Sequence, residues 1–268
     1  MSHLLITNDD GVDSPALVPL AQALRRFGRV EVVVPDRERS WISKAISRHD
    51  ALSVEQVMRD DVAIHAVSGY PADCVQLGIY NLFDEPPRLV VSGVNIGSNH
   101  GSAFAVCSGT IGAAAEAANA GVPALAFSAR SVGSWPDWVR WVWSPGAAEM
   151  WERMAAISAE IVAVILAEGF PEDADIVSVN IPSGADLTTE RRVTRLATTR
   201  YGSLFAPAEE FMLAHAFDGV LHVEGDPAGT DVGEGEAGHV TITPIRLAAS
   251  GSIGADLRAA LEGRDPAA

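Results

Sequence analysis

Five apolar runs, residues 3–7, 30–35, 88–92, 123–128 and 175–180, punctuate the first two thirds of the chain. Their length and their content of Val, Leu and Ile suit strands buried on both faces. Between them, Ser14 to Phe27, Ala72 to Phe83, Ile111 to Ala120 and Ala147 to Glu168 carry helical patterns. Strand and helix alternate to about residue 182, which predicts an α/β fold with a mostly parallel, doubly wound sheet. Two shorter β-type stretches, 51–57 and 62–67, read as a hairpin across Met58 to Asp61. After residue 183 the pattern becomes β-rich, with acidic, Gly-rich linkers such as Glu224 to Gly238. The expected organisation is one domain over 1–268, a core at 1–183 and a β-rich extension at 184–268.

The polar residues that end the strands carry the chemistry. Leu4 to Thr7 runs into Asn8-Asp9-Asp10-Gly11, and adjacent carboxylates held at a strand end call for a cation beside them. A hard divalent metal answers that need; an Asp-Asp-Gly turn capping the next helix is the plainer alternative. Three later segments repeat the design: Val30 to Pro35 ends in Asp36-Arg37-Glu38-Arg39-Ser40, and Leu89-Val90-Val91 ends in Ser92-Gly93-Val94-Asn95-Ile96-Gly97-Ser98-Asn99. Cys107-Ser108-Gly109-Thr110 opens an Ala-rich helix, whose hydroxyls and free N–H groups suit an anion. Taken singly, the third is also an ordinary cap and the second an ordinary loop. Together they set a cation site beside an anion site.

These segments, with Pro35-Asp36-Arg37, Gly69-Tyr70-Pro71-Ala72-Asp73-Cys74-Val75, Asn180-Ile181-Pro182, Gly229-Thr230-Asp231 and Val240-Thr241-Ile242-Thr243-Pro244, closely resemble the ordered motifs of the survival protein SurE family, metal-dependent nucleotidases. The resemblance covers nearly the whole chain. It implies a Rossmann-like core with a protruding hairpin and exchanged C-terminal elements that join subunits, hence a homodimer or homotetramer. It also implies Asp9, Asp10, Ser40 and Asn95 as metal ligands, oxygen donors suited to Mg2+ or Mn2+. Asp9 and Asp10 are the catalytic candidates, and Asn99, Ser108, Gly109 and Thr110 would hold the phosphate. The activity implied is hydrolysis of nucleoside monophosphates at the 5′ or 3′ position, in some members extending to short polyphosphate. Two departures stand out: Trp41 occupies the place of the family's usual glycine after Ser40, and Cys107 that of a frequent tyrosine. Trp41 either packs within its own domain or stacks on a substrate base.

A phosphate monoester is a dianion, so an acidic cluster repels it unless a divalent cation bridges the two; the metal also acidifies its bound water. No residue type stands out as the acid for the leaving group. Of His49, His65, His100, His215, His222 and His239, His100 lies nearest the Asn95 to Asn99 loop, where a solvated loop histidine is the plain expectation. A haloacid-dehalogenase-type phosphatase is a rival, but its nucleophilic aspartate would fall at Asn8. A non-catalytic nucleotide or metal sensor using the same pocket is another.

Composition narrows the partners. The formal charge of −16 and pI near 4.7 disfavour long nucleic acids and anionic membranes, leaving a small nucleotide recruited through metal. Two cysteines, Cys74 in a helical motif and Cys107 in a loop motif, lack the number and spacing of a disulfide framework, which suggests a reducing compartment. The longest apolar stretch, Ala155 to Ala167, is broken by Ser158 and Glu160, so a soluble cytoplasmic protein is expected. Trp135, Trp138, Trp141, Trp143 and Trp151 crowd one segment; the Trp138/Trp141 spacing fits one helical face, open to core or subunit packing or to a base-stacking lid.

Overall fold

The computed structural model describes residues 3–209, 211–217 and 220–263. The first five strands are β1 (Leu4–Thr7), β2 (Val30–Pro35), β3 (Val54–Arg59), β4 (Val62–Val67) and β5 (Leu89–Ile96). Then come β6 (Ala124–Arg130), β7 (Ile176–Pro182), β8 (Arg191–Val193), β9 (Thr199–Arg200), β10 (Phe205–Glu209), β11 (Met212–His215), β12 (His222–Val223) and β13 (Val240–Ile245). Among the described residues, nine of these form one sheet in the order β3-β4-β2-β1-β5-β6-β7-β13-β8. The run from β4 to β7 is parallel throughout. Among the described residues β3 opposes it on one side, and β13 and β8 on the other. From β1 the chain crosses to β2 on one side and later to β5 on the other, so the crevice between β1 and β5 is the switch point where open α/β sheets bind ligands.

The helices are α1 (Leu17–Leu24), α2 (Pro71–Tyr80), α3 (Gly101–Cys107), α4 (Gly109–Asn119), α5 (Trp135–Val142), α6 (Ala148–Glu168), α7 (Asp231–Glu236) and α8 (Ala255–Leu261). Strand alternation sorts the core into two layers. Leu4 and Ile6 of β1 join Leu17, Leu20 and Leu24 of α1 and Ile157 and Val162 of α6; Leu5 joins Cys74, Val75 and Ile79 of α2 and Ala113, Ala114 and Ala117 of α4. Burying these residues, at roughly 1.5–3 kcal/mol for each large aliphatic side chain, holds the strand ends in place.

Several local expectations change in detail. Ser14 to Ala16 forms turns before α1, which begins at Leu17 and ends in a 3-10 turn over Arg25–Phe27. The hairpin turn contains only Asp60 and Asp61, with Asp60 at φ 48°. α4 starts at Gly109, two residues earlier than the pattern predicts, because the Ser108 hydroxyl caps it by accepting from the Ile111 N–H at 3.1 Å. Cys107 is the last residue of α3 and not a loop residue, and α3 itself is a short helix that the pattern did not reveal. The linker Glu224 to Gly238 contains α7, capped by Thr230. Residues after 183 complete the sheet through β13 and β8, and also project from it as a hairpin in which β10 pairs with β11 and β9 with β12.

Candidate active site

The site is assembled from the carboxyl ends of β1, β2 and β5 and the start of α4. Asp9 and Asp10 follow β1 directly and both are buried. Asn8 is a clamp for their turn: its amide donates to the Gly11 carbonyl and its oxygen accepts from the Gly11 N–H, each at 3.1 Å. The second loop is fastened to the first where the Arg39 N–H donates to the Asp9 carbonyl at 2.7 Å. Asp10 Oδ2 accepts from the Ile96 N–H at 3.0 Å, which ties β1 to the end of β5 across the switch point. A bulge in the β5–β6 pairing between Ser92 and Asn95 re-aims the residues that follow. Asn95 is buried, its amide nitrogen donating to the Gly97 carbonyl at 2.7 Å.

Helix α4 points its N-terminus at Asp9. The Thr110 hydroxyl donates to Asp9 Oδ1 at 2.7 Å. Gly109 lets this approach happen, since a Cβ there would lie 2.8 Å from both Asp9 Cβ and Oδ2. Asn99 donates to the Ser128 hydroxyl at 2.7 Å and weakly to Thr110 Oγ1 at 3.5 Å, while its own N–H donates to Asn180 Oδ1 at 2.8 Å. Ser108 accepts as a cap, which leaves its single hydroxyl proton available; that of Thr110 is already given to Asp9.

Of the expected site residues, Asp9, Asp10, Asn95, Asn99, Ser108, Gly109 and Thr110 therefore converge on one crevice. Ser40 sits at its exposed edge and donates its hydroxyl to Glu38 Oε1 at 2.7 Å. Trp41, at φ 58°, is ringed edge-on by Phe104, Tyr201, His215 and Phe217 at centroid distances of 5.1–5.9 Å. His100 is not a solvated loop residue. It is buried against Thr241 and Gly235, and burial holds its pKa down at about 3, so it stays neutral near pH 7. Four residues to which the sequence reading assigned no role also build the site: Glu38, Ser128, Asn180 and Asp231. Asp231 accepts from the Gly101, Ala197 and Val232 N–H groups and so anchors the Asn99 loop to the base of the hairpin. Glu38, Asn180 and Asp231 stand in segments quoted above; Ser128 carried no separate signal.

Burial dominates the electrostatics. It raises the Asp9 pKa to about 6, against the Thr110 hydrogen bond that lowers it. Burial and the neighbouring Asp9 charge raise Asp10 well above the usual carboxylate range. No described arginine or lysine acts appreciably on either group. Two buried carboxylates without a cationic partner, with Asn95 one residue from the Ile96 N–H that Asp10 accepts, offer oxygen donors of the kind that suits a hard divalent ion.

The fold and the crevice define an open α/β protein whose candidate ligand site is an acidic pair at the sheet's switch point. The chain belongs to the survival protein SurE family, whose model matches residues 4–203. It is 35% identical over 249 residues to the 5′-nucleotidase SurE of Methanocella arvoryzae, covering 91% of this chain and 92% of that one. To the 5′-nucleotidase SurE of Geobacter sulfurreducens it is 36% identical over 251 residues, covering 91% and 88%. The crystal structure of the SurE protein from Aquifex aeolicus superimposes with a TM-score of 0.76 at 30% identity, covering 97% of this chain and 99% of that one.

Proposed function

We propose that this chain is a metal-dependent 5′-nucleotidase, a phosphoric monoester hydrolase that releases phosphate from nucleoside monophosphates. The observation that carries the reading is the buried Asp9–Asp10 pair, without a cationic partner, facing the N-terminus of α4 in a chain whose relatives bear that name. Asp9, Asp10, Asn95 through its Oδ1, and Ser40 once released from Glu38 would hold the ion, Mg2+ or Mn2+ by donor type. When bound, it supplies charge neutralisation for the phosphate and acidifies a water.

The protein's own groups do the rest. Ser108 has a hydroxyl proton to give a phosphoryl oxygen, and the first N–H groups of α4, with its dipole, favour the anion. Thr110 fixes one Asp9 oxygen, and Asn99, held by Ser128 and Asn180, closes the far side. A nucleophilic aspartate of the dehalogenase type has no counterpart: Asn8 occupies its position and is closed onto Gly11.

The same reading includes a homodimer or homotetramer, because the projecting hairpin exposes Phe205, Phe211, Met212 and Leu213, more apolar surface than a lone hairpin in water supports. It also places the protein in the cytoplasm. In support of that placement, Cys74 and Cys107 are both unpaired, and no described helix is long and apolar enough to cross a membrane.

The test is a phosphate-release screen of nucleotides and other phosphomonoesters, with several divalent ions and with chelator. Release of phosphate from nucleoside monophosphates, abolished by chelator, is expected. Tight nucleotide binding with no turnover under any ion would replace the enzyme with a sensor.

A further inference from the structure

Beside the acidic crevice lies an open cavity of about 400 Å3, lined by Val132, Ser134, Asp137, Trp138, Trp141 and Ser183. Its walls come from the residues after β6, after β7 and from α5, so it opens at the carboxyl edge of the sheet, as the aspartate crevice does. The volume falls within the range of small-molecule sites. Trp135 links the two. Its ring stacks on Trp138, with centroids 5.5 Å apart and planes at 30°. Its far edge lies over Gly97, where a Cβ would come within 3.0 Å of the ring and 3.7 Å of Asn95 Nδ2. One indole thus separates the cavity from the loop that carries a candidate metal ligand.

The chemistry of the wall is specific. Trp141, 40% exposed, presents aromatic surface, backed by the buried ring of Trp138. Trp138 is 6% exposed, and its Nε1–H has no partner among the described residues. Ser134 and Ser183 add hydroxyls that donate or accept, and Asp137 only accepts. The ligand that fits is flat, aromatic and bears both acceptors and N–H donors.

We propose that this tryptophan cavity is the nucleobase subsite of the enzyme. The substrate's base stacks against Trp141 and bonds to the polar wall while its phosphate lies at the Asp9–Asp10 crevice. Base–aromatic stacking tolerates any base, so the subsite favours nucleotides as a class over base-free phosphomonoesters. This assignment rests on the nucleotidase reading for its substrate.

The test uses binding as well as turnover. Adenosine, guanosine, cytidine and uridine are titrated calorimetrically into chelator-treated full-length protein, as wild type, Trp141→Ala and Trp138→Phe. The second variant keeps most of the ring volume and deletes the N–H, so the fold is preserved. At least one nucleoside should bind the wild type saturably, and Trp141→Ala should weaken it about tenfold or more, as expected for a lost base–aromatic contact. In the metal-loaded enzyme, the ratio of kcat/KM for adenosine monophosphate to that for glycerol phosphate should fall by a similar factor in Trp141→Ala. No binding by any of the four nucleosides, or a ratio within twofold of wild type in both variants, overturns the subsite. Failure of the wild type to hydrolyse any monophosphate would instead refute the nucleotidase reading, and the metal-free titration would still decide whether the cavity takes a base.

Discussion

At the scale of single residues, the decisive feature is two carboxylates buried without a counter-charge. Their folded-state pKa values are raised, Asp9 to about 6, by burial and mutual repulsion. In the metal-free protein the folded state therefore binds more protons than the unfolded chain between about pH 4 and pH 6. The contribution to stability is fully present below the unfolded carboxylate value and is lost as pH rises through the folded one. Chelator-treated wild type should lose melting temperature over that interval, and Asp9→Asn and Asp10→Asn should flatten the loss. Identical pH profiles for all three would show that the pair is not strained. With metal, either substitution should lower activity by about 100-fold or more, beyond the usual effect of losing a ligand's supporting contact, with the fold kept. The hydroxyls at the start of α4 separate two roles. Thr110→Val removes the donor to Asp9, so apparent metal affinity and kcat/KM should fall together. Ser108→Ala removes the proposed phosphate donor and a cap, so kcat/KM should fall by the equivalent of roughly 2–4 kcal/mol, with metal affinity little changed. Metal titrations followed by phosphate release distinguish the two; equal effects on metal affinity would remove the distinction.

At the scale of elements, the strands and long helices were legible because burial on two faces leaves continuous apolar runs and helix packing leaves a 3.6-residue period. The acidic turn after β1 and the polar loop after Val91 could be read because each ends such a run, and Ser108–Thr110 because it opens a helical one; Asn95 was singled out as a ligand only by the family resemblance. The short helices α3 and α7 could not, since seven and six residues give too little period to read. Nor did local pattern reveal Asn180 as the acceptor for Asn99, a contact spanning 81 positions. Trp41 shows how the two levels meet. Its φ of 58° is a left-handed conformation that costs a bulky residue about 1 kcal/mol or more and that glycine adopts freely. Here the ring offsets that cost through four edge-on aromatic contacts, worth roughly 0.5–1.5 kcal/mol each, that pin the hairpin base and α3 to the Ser40 loop. Trp41→Gly relieves the backbone and removes the pin. Limited proteolysis should then cut near residues 201–217 several-fold faster, and turnover of nucleoside monophosphate and glycerol phosphate should fall alike. A loss confined to the nucleotide would mean that Trp41 stacks on the base after all.

At the scale of the whole molecule, a formal charge of −16 sits on a chain whose hairpin exposes Phe205, Phe211, Met212 and Leu213. The two features pull in opposite directions on self-association. Apolar surface on a projecting two-stranded element favours a second copy at roughly 25 cal/mol per Å2 buried, whereas like charge repels the approaching subunits. Salt screens the repulsion, with a Debye length of about 10 Å at 0.1 M and about 3 Å at 1 M, and does not weaken the apolar contact. Assembly should therefore tighten as salt rises, the reverse of an interface built on ion pairs. Light scattering after gel filtration at low and high salt measures this, and Leu213→Glu, which adds charge and deletes apolar surface at an exposed position, should shift the protein towards monomer most strongly at low salt. The aspartate crevice lies on the core sheet and draws its described ligand candidates from one chain, so the monomeric variant should retain activity on glycerol phosphate. If Leu213→Glu leaves the assembly intact at every salt concentration, the hairpin is not the interface; if salt dissociates the wild type, charge complementarity and not apolar burial holds the copies together.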